Sequence, residues 1–345
     1  YQFDCIITPS EISKGTLLGS HPDLWVEVIE NGADTEGISA LGPGDDCALT
    51  HSTPQMVQAI SADMLVAGRH FFEDTDPQQL GHKALAVNLS DLAAMGATPR
   101  SFTLALALPT LDELWVAAFS TGLLALASAH DCALIGGDIT RGPLTIAITL
   151  IGEVPPTQAL RRDGAQSGDD LYVSGTLGDA ALALRWALQD PKTTAVQTSM
   201  TAQARQTVES RMTMPTPRVA LGHALRGVAT AAMDISDGLA GDLHHLLAAS
   251  QCGAEVAIDT LPVSSTVATL PVDLRRALAF AGGDDYELLF AAPPNQAARL
   301  AHLAAQVGVK ITRIGRITDG TALVLRDAKG VAIANDYRGF DHFSA

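Results

Sequence analysis

The stretch EVPPTQALRRDGAQSGDD, residues 153–170, divides the sequence into two parts. It is rich in Pro, Gly and charged residues, whereas the sequence on either side alternates short apolar runs with helical patterns. Such an interruption is typical of a segment between domains. The sequence therefore predicts two domains, residues 1–154 and residues 155–345.

The composition supports two domains and excludes several classes of partner. The chain has 345 residues, 47% of them hydrophobic, which is enough for one large core or two ordinary ones. With 38 acidic and 22 basic residues, the formal charge of -16 argues against nucleic acid or an anionic membrane surface as the main partner. The four cysteines lack CxxC spacing, and we find neither a long apolar span nor a leader pattern. We therefore expect a soluble cytoplasmic protein with reduced thiols.

Short apolar or β-branched runs alternate with amphipathic segments along both parts. The predicted strands are residues 56–61, 102–108, 145–154, 170–175, 287–292 and 311–318. The predicted helices are residues 77–96, 111–130, 179–189, 217–228, 238–251, 273–281 and 295–307. This order indicates a mixed α/β or α+β fold.

Aspartates recur in one setting, at the end of an apolar run and beside Gly, Ser or Asn. The motifs are GDDCAL, ISADML, NLSDLAAMG, LIGGDITRG, MDISDGLAGD and AGGDDYELLF. A partly desolvated carboxylate has to be protonated, paired or bound to a cation, and few basic residues lie nearby. Magnesium suits such groups because it takes oxygen ligands from a few carboxylates and from substrate phosphates. The alternative for any one motif is an ordinary turn or helix cap.

Two of these motifs fall on predicted helices. A helix over residues 77–96 places Asn88 and Asp91 one turn apart on one face, either beside a metal site or as a polar stripe in solvent. The motif DISDG places Asp234 and Asp237 three residues apart at a helix start, with Ser236 between them. It lacks the spacing of an EF-hand, and a cap by Ser236 or Asp237 is compatible with metal binding.

Several common catalytic motifs are missing from the sequence. It contains no G-x-x-x-x-G-K-[ST], no G-x-S-x-G and no H-E-x-x-H. If phosphate is bound, metals, backbone amides and a few arginines must hold it. The basic candidates nearest the acidic motifs are Arg141, Arg161 and Arg162.

Together these motifs resemble the thiamine-monophosphate kinases, within a superfamily that includes aminoimidazole ribonucleotide synthetase and selenophosphate synthetase. The similarity runs from about Gly42 to Phe343. It rests on GDDCAL, DMLVAGRHF, KALAVNLSDLAAMGATP, LIGGDITRGP, RRDGAQSGD, MDISDGLAGDL, GGDDYELLF and GFDHF.

The resemblance implies an α+β fold with an N-terminal domain whose sheet pairs with that of a second subunit and a C-terminal α/β sandwich. The implied ATP site lies largely across this homodimer, with residues 155–345 completing the active site. The implied reaction converts ATP and thiamine monophosphate to ADP and thiamine diphosphate by direct in-line transfer. The implied ligands of several Mg²⁺ ions are Asp46, Ser61, Asp63, Asp91, Asp138, Asp234 and Asp237.

The resemblance also assigns the remaining site residues. Gly137, Asp138, Arg162 and Ser236 are expected to contact ATP. His70, Asp284 and Phe340 are expected at the thiamine-phosphate end, where an aromatic ring suits a cationic heterocycle. Asp46, Asp91, Asp237 and Arg162 are the expected catalytic residues.

The sequence departs from the family pattern at several positions. Asp284 stands where the family usually has Glu, Ala62 where Thr or Val is common, and Ile139 where Thr usually follows GGD. Residues 1–40 match the usual acidic N-terminal helix poorly.

Other members of the superfamily and a different functional class are the alternatives. Selenophosphate synthetase needs a reactive Cys or selenocysteine beside a Lys, a context that Cys5 lacks, and the hydrogenase-maturation relative ends in a reactive Cys. Aminoimidazole ribonucleotide synthetase is disfavoured by NLSDLAAMGA together with GFDHF. A non-catalytic acidic protein that binds divalent ions is the remaining alternative. Magnesium-dependent nucleotide binding distinguishes it from an enzyme.

Overall fold

The computed structural model describes residues 39–41 and 47–339. These residues form two compact units. One unit contains the described residues up to Leu92 together with Thr98–Pro156. The other contains Ala93–Ala97 and the described residues from Thr157 onward.

The first unit is built on a four-stranded sheet covered by two helices. Its elements are β1 (Ser39–Leu41), β2 (Leu49–Thr50), β3 (Val57–Val66), α1 (Pro77–Ala94), β4 (Thr98–Leu108), α2 (Glu113–Ala129), β5 (Ala133–Arg141) and β6 (Thr145–Val154). The strand order is β3-β6-β4-β5, with β6 antiparallel to both its neighbours and β4 parallel to β5. Strands β1 and β2 form a separate antiparallel pair.

The two faces of this sheet differ sharply in exposure. One face is buried and apolar, with Leu104, Ile146 and Ile148 at most 4% exposed. The helices α1 and α2 approach each other closely at Gly81 and Gly122, since a Cβ at Gly81 would lie 2.0 Å from the carbonyl oxygen of Phe119. The other face carries exposed apolar side chains, among them Ile60 at 64% and Met64 at 57%.

The second unit is built on a seven-stranded sheet in the order β13-β12-β9-β11-β7-β10-β8. The strands are β7 (Asp170–Ser174), β8 (Ala231–Ile235), β9 (Gly253–Ala257), β10 (Glu287–Ala292), β11 (Ile311–Thr318), β12 (Leu323–Arg326) and β13 (Ala332–Ile333). The helices are α3 (Asp179–Ala187), α4 (Pro191–Ser199), α5 (Ala202–Thr213), α6 (Val219–Leu225), α7 (Leu239–Ser250), α8 (Ser265–Ala268), α9 (Val272–Ala281) and α10 (Ala297–Val307). All neighbouring strands are antiparallel except β9 and β12, which are parallel.

Two apolar cores stabilise the second unit. The larger joins Leu239, Leu243 and Leu246 of α7 to the sheet, and Phe280 of α9 belongs to it. The smaller is formed by helices and includes Trp186 of α3. The end of β8 and the starts of α7 and β10 are therefore fixed by packing beneath them.

The sequence predicted most of the long elements. The strands over residues 145–154, 287–292 and 311–318 are confirmed with the same bounds. Helices α4 and α5 were not predicted, because residues 191–213 are largely polar and carry only a weak apolar stripe. Strand β5 was not predicted because Gly136, Gly137 and Asp138 interrupt its apolar run.

The described residues include three of the four cysteines. Cys47, Cys132 and Cys252 are free thiols. Within residues 39–41 and 47–339, no helix combines the length and apolarity needed to cross a membrane. The cytoplasmic location expected from the sequence stays a prediction.

A buried ion network joins β7, β10 and α5. Glu287 is fully buried, and its carboxylate accepts hydrogen bonds from Arg211 at 2.8 Å, Arg218 at 2.5–2.6 Å and Ser174 at 2.6 Å. The Ser174 hydroxyl in turn accepts from the backbone N–H of Leu288 at 2.8 Å. A buried carboxylate with two guanidinium partners is satisfied only while all members are present.

We expect Glu287→Gln to lower the free energy of unfolding by about 3–5 kcal/mol, because two arginines would lose their buried counter-charge. Denaturant unfolding followed by circular dichroism measures the effect. Glu255→Gln is the control, since Glu255 pairs with Arg326 at 2.6 Å on the surface and should matter little. Equal shifts in the two variants would contradict a structural role for the buried network.

Candidate active site

In the first unit, strand β3 and helix α1 bring three predicted metal ligands together. The Ser61 hydroxyl donates to the Asp91 carboxylate, and the backbone N–H of Asp63 donates to Asn88 Oδ1 at 3.2 Å. Asn88 is itself oriented by a hydrogen bond from its Nδ2 to the Ala84 carbonyl at 2.9 Å. Because Asn88 is only 1% exposed, the alternative of a solvent-facing polar stripe is wrong for this residue.

His70 lies in a tight turn just after β3. The backbone N–H of Val66 donates to His70 Nδ1 at 3.0 Å, and the His70 N–H donates to the Val66 carbonyl at 3.0 Å. Since Nδ1 accepts, the proton of a neutral ring is on Nε2. The turn thus fixes both the ring and its tautomer at the end of the strand that carries Asp63.

Gly137 and Asp138 lie on β5, at the opposite edge of the sheet from β3. A Cβ at residue 137 would lie 2.0 Å from the carbonyl oxygen of Leu104, so only glycine fits this approach of β5 to β4. The register places Asp63, Ile148, Leu104 and Gly137 in one row across the sheet. Three strand spacings of about 4.8 Å separate the two edges by roughly 14 Å. One Mg²⁺ ion with ligands at about 2.1 Å cannot be shared across that distance within one sheet.

In the second unit, β8 leads into a turn at Ser236–Gly238 and then into α7. Gly238 has φ +101° and is the N-cap residue of α7, so the alternative in which Ser236 or Asp237 is the N-cap residue is wrong. The backbone N–H of Ser236 donates instead to Asp242 Oδ2 at 3.1 Å. The turn that carries the predicted ligands is therefore held by a carboxylate from the first turn of the helix.

The sequence analysis did not assign a role to Asp242. Burial, and then the charges of Asp234 and Asp237, raise the pKa of Asp242 to about 8. Hydrogen bonds from the Ser236 and Asp237 backbones act in the opposite direction. The sequence does contain a signal for this residue. Asp242 is the third acidic residue of MDISDGLAGD, and it falls on the apolar side of α7 beside Leu239 and Leu243. Three mutually repelling carboxylates favour either a bound proton or a bound cation.

Asp284 lies beside the same turn. Its backbone N–H donates to the Ser236 carbonyl at 2.8 Å, and its carboxylate accepts from the Tyr286 hydroxyl at 3.1 Å. The next residue, Asp285, is buried, and this burial raises its pKa well above the usual range, with Arg211 acting against the shift. The second unit thus brings Asp234, Ser236, Asp237 and Asp284 to one end of β8.

Arg162 has an exposed side chain and an anchored backbone. Its carbonyl accepts from the Ser250 hydroxyl at 2.8 Å. The neighbouring Arg161 is paired with Asp163 at 2.5 Å, which leaves it less suited to hold phosphate. The ATP contact of Arg162 stays a prediction.

Two predicted site residues, Asp46 and Phe340, lie outside the described residues. Within the described ones, no three His, Cys, Asp or Glu side chains lie close enough to hold a metal ion by themselves. Phosphate oxygens or water would have to complete the coordination of Mg²⁺, as is usual for this ion. Asp234 lies near the end of its strand, as expected for an aspartate that follows an apolar run, whereas Asp63 and Asp138 lie within strands. Asp91 lies on helix α1, as predicted.

Family models match both parts of the chain. Residues 44–154 match the AIR synthase related protein, N-terminal domain, and residues 166–328 match the AIR synthase related protein, C-terminal domain.

Several curated relatives and solved structures similar to this chain are thiamine-monophosphate kinases. A thiamine-monophosphate kinase of Salmonella typhimurium is 47% identical over 308 residues, which is 88% of this chain and 92% of that relative. The crystal structure of thiamine-monophosphate kinase from Stenotrophomonas maltophilia K279a has a TM-score of 0.82 and 46% identity, covering 90% of this chain and 96% of that one. A structure described as AaThiL complexed with AMPPCP and TMP has a TM-score of 0.72 and 27% identity, covering 96% and 98%. The chain therefore belongs to the AIR synthase related proteins and, within them, to the thiamine-monophosphate kinase family.

Proposed function

We propose that this chain is a thiamine-monophosphate kinase, which transfers the γ-phosphoryl group of ATP to thiamine monophosphate and releases ADP and thiamine diphosphate. The observation that carries the proposal is the 47% identity to such a kinase across 92% of its length. The similarity to a structure that holds AMPPCP and TMP supports both substrates. The carboxylates grouped in each unit fit a reaction between two anionic phosphate groups.

The chemistry requires charge neutralisation and positioning more than proton transfer. A phosphate oxygen of the acceptor is already an anion and needs no general base to attack phosphorus in line. Two unit charges about 4 Å apart repel by roughly 4 kcal/mol at an effective dielectric of 20, and two phosphate groups present several such pairs. When bound, Mg²⁺ ions neutralise this charge.

The donors available in each unit fit several magnesium ions. Ser61, Asp63 and Asp91 offer oxygen atoms on adjoining elements, and Asp234 and Asp237 offer carboxylates at the end of β8. All are hard ligands of the kind that Mg²⁺ takes. Asp46 would complete the set that the family resemblance implies. The Ser61 hydroxyl orients the Asp91 carboxylate, so its coordinating oxygen has a fixed direction.

The remaining predicted residues divide between the two substrates. We assign Gly137, Asp138, Ser236 and the exposed Arg162 to ATP. His70 and Asp284 are assigned to the phosphate end of the acceptor, and both have backbone positions fixed by hydrogen bonds. Stacking of the Phe340 ring on the thiamine heterocycle completes this assignment.

A homodimer explains two features of the first unit. Ile60 and Met64 are exposed on the open face of the sheet, as are Ala105 and Thr149. An apolar sheet face of this kind is suited to cover the same face of a second copy. The second feature is the separation of Asp138 from Asp63, because a partner subunit can supply the ligand that the same sheet cannot.

We expect the protein to form ADP and thiamine diphosphate in equal amounts, and only when Mg²⁺ is present. Chromatography of the products measures both. Asp91→Asn should lower turnover by about 100-fold or more, which corresponds to about 2.7 kcal/mol of lost transition-state stabilisation. The fold should persist because the amide oxygen can still accept from Ser61.

Asp131→Asn is the matched control for this substitution. Asp131 is exposed, lies in the same unit and has φ +49°, a left-handed conformation that asparagine tolerates well. Near-normal turnover in Asp91→Asn, or equal losses in both variants, would refute the metal-ligand role. ATP binding without thiamine diphosphate would refute the proposed reaction.

Mixed dimers test whether the active site is shared between subunits. Asp91→Asn and Asp138→Asn should each have about 1% of the wild-type turnover or less when alone, but a dimer with one subunit of each kind should have about half the wild-type activity. One of its two sites would combine both altered residues, whereas the other would combine both native ones. Co-expression with two different tags, followed by two affinity steps, isolates this dimer. A mixed dimer that stays inactive would show that both carboxylates act in one subunit or that no shared site exists.

A further inference from the structure

The segment Gly282–Glu287 between α9 and β10 contains two residues in an unusual backbone conformation. Asp284 has φ +67° and Tyr286 has φ +49°, although neither is glycine. Left-handed residues with a side chain cost energy and persist only when their surroundings hold them. The contacts of this segment show what holds them here.

Asp285 and Glu287, which face the interior, hold the segment in place through hydrogen bonds. Both carboxylate oxygens of Asp285 accept from the backbone N–H of Gly178 at 3.0 Å, and the side chain is 1% exposed. Arg211 donates to the Asp285 carbonyl at 3.0 Å and to Glu287 at 2.8 Å. The side chains on either side of Tyr286 are therefore fixed in the interior.

Asp284 and Tyr286, which alternate with these interior residues, bond to the end of β8 and the turn that follows it. The backbone N–H groups of Asp284 and Tyr286 donate to the carbonyls of Ser236 and Ile235, each at 2.8 Å. The Tyr286 side chain is only 8% exposed, and its hydroxyl donates to Asp284 Oδ1 at 3.1 Å. A buried ring has few accessible rotamers, so its hydroxyl is a fixed donor for the carboxylate.

We propose that Tyr286 is a positioning residue, which orients the Asp284 carboxylate toward the phosphate end of the acceptor substrate. The inference rests on the proposed function. The left-handed backbone at residues 284 and 286 brings the hydroxyl to the carboxylate, and the buried anchors maintain that backbone. The hydrogen bond from the phenol fixes the direction of the Asp284 carboxylate.

Tyr286→Phe tests the proposal because it removes the hydroxyl and keeps the ring. We expect the KM for thiamine monophosphate to rise by about three- to tenfold, the factor that one hydrogen bond contributes. The KM for ATP and kcat should change little, since the carboxylate is assigned to acceptor binding. The unfolding midpoint should stay close to that of the wild type because the ring still fills its space.

Tyr172→Phe is the matched control. Tyr172 lies in β7 of the same sheet, is 6% exposed and stacks on Phe290, and its pKa is raised by burial and then by the charge of the nearby Asp170 carboxylate. Tyr172→Phe thus removes a phenol hydroxyl near an aspartate, as Tyr286→Phe does, but away from the site. Its kinetic constants should match those of the wild type.

A double-mutant cycle with Asp284→Gly isolates the pair, because glycine tolerates φ +67° and removes the oxygen that accepts from the phenol. If the phenol acts through Asp284, adding Tyr286→Phe to Asp284→Gly should raise the acceptor KM little further. Full additivity, an unchanged acceptor KM in Tyr286→Phe, or an equal rise of both substrate KM values would overturn the positioning role. A wild-type protein that forms no thiamine diphosphate would instead refute the proposed function, and this result is obtained before any variant is compared.

Discussion

Mutual repulsion among carboxylates is the constraint on which the turn between β8 and α7 depends. In the second unit, Asp234 and Asp237 raise the pKa of Asp242 through their charges, in addition to the larger effect of burial. Such a group is stable only with a proton, a cation or strong donors nearby. Backbone N–H groups from the Ser236–Asp237 turn supply part of this stabilisation. In the proposed function, the metal ions that accompany the substrate phosphates would supply the rest, so the repulsion between these carboxylates favours the metal-bound state.

Two buried acids of the second unit represent two kinds that differ in their partners. Glu287 is paired with two arginines and a serine hydroxyl, and it joins strands to a helix. Asp242 has backbone donors and acidic neighbours, and it supports the turn that carries the proposed ligands. The ion pairs of Glu287 hold strands β7 and β10 and helix α5 together. The segment Gly282–Glu287 links these ion pairs to the site, because Asp285 and Glu287 bond to Arg211 whereas Asp284 lies at the site.

Features that depend on neighbouring residues in the sequence could be predicted, whereas features that depend on strand pairing between distant residues could not. The helix that carries Asn88 and Asp91 was predicted because its apolar residues recur with helical spacing, and it is confirmed. The short strand β8 and the glycine-interrupted β5 were not predicted, since pairing with neighbouring strands decides them. Motif chemistry identified Asp234 and Asp237, but the role of Asp242 became visible only in its bond to the turn. The separation of Asp138 from Asp63 likewise follows from strand order, which no motif contains.

In the proposed function, Asp91 and Asp138 are among the aspartates that hold metal ions against the phosphates of the two substrates. The most direct test is anomalous scattering from Mn²⁺ in crystals grown with a non-hydrolysable ATP analogue and thiamine monophosphate. Our account predicts metal peaks within coordination distance of Asp91 in one subunit and of Asp138 in the other, with phosphate oxygens completing each ion. Metal peaks that avoid Asp91 and Asp138, or substrates bound without any metal, would contradict it.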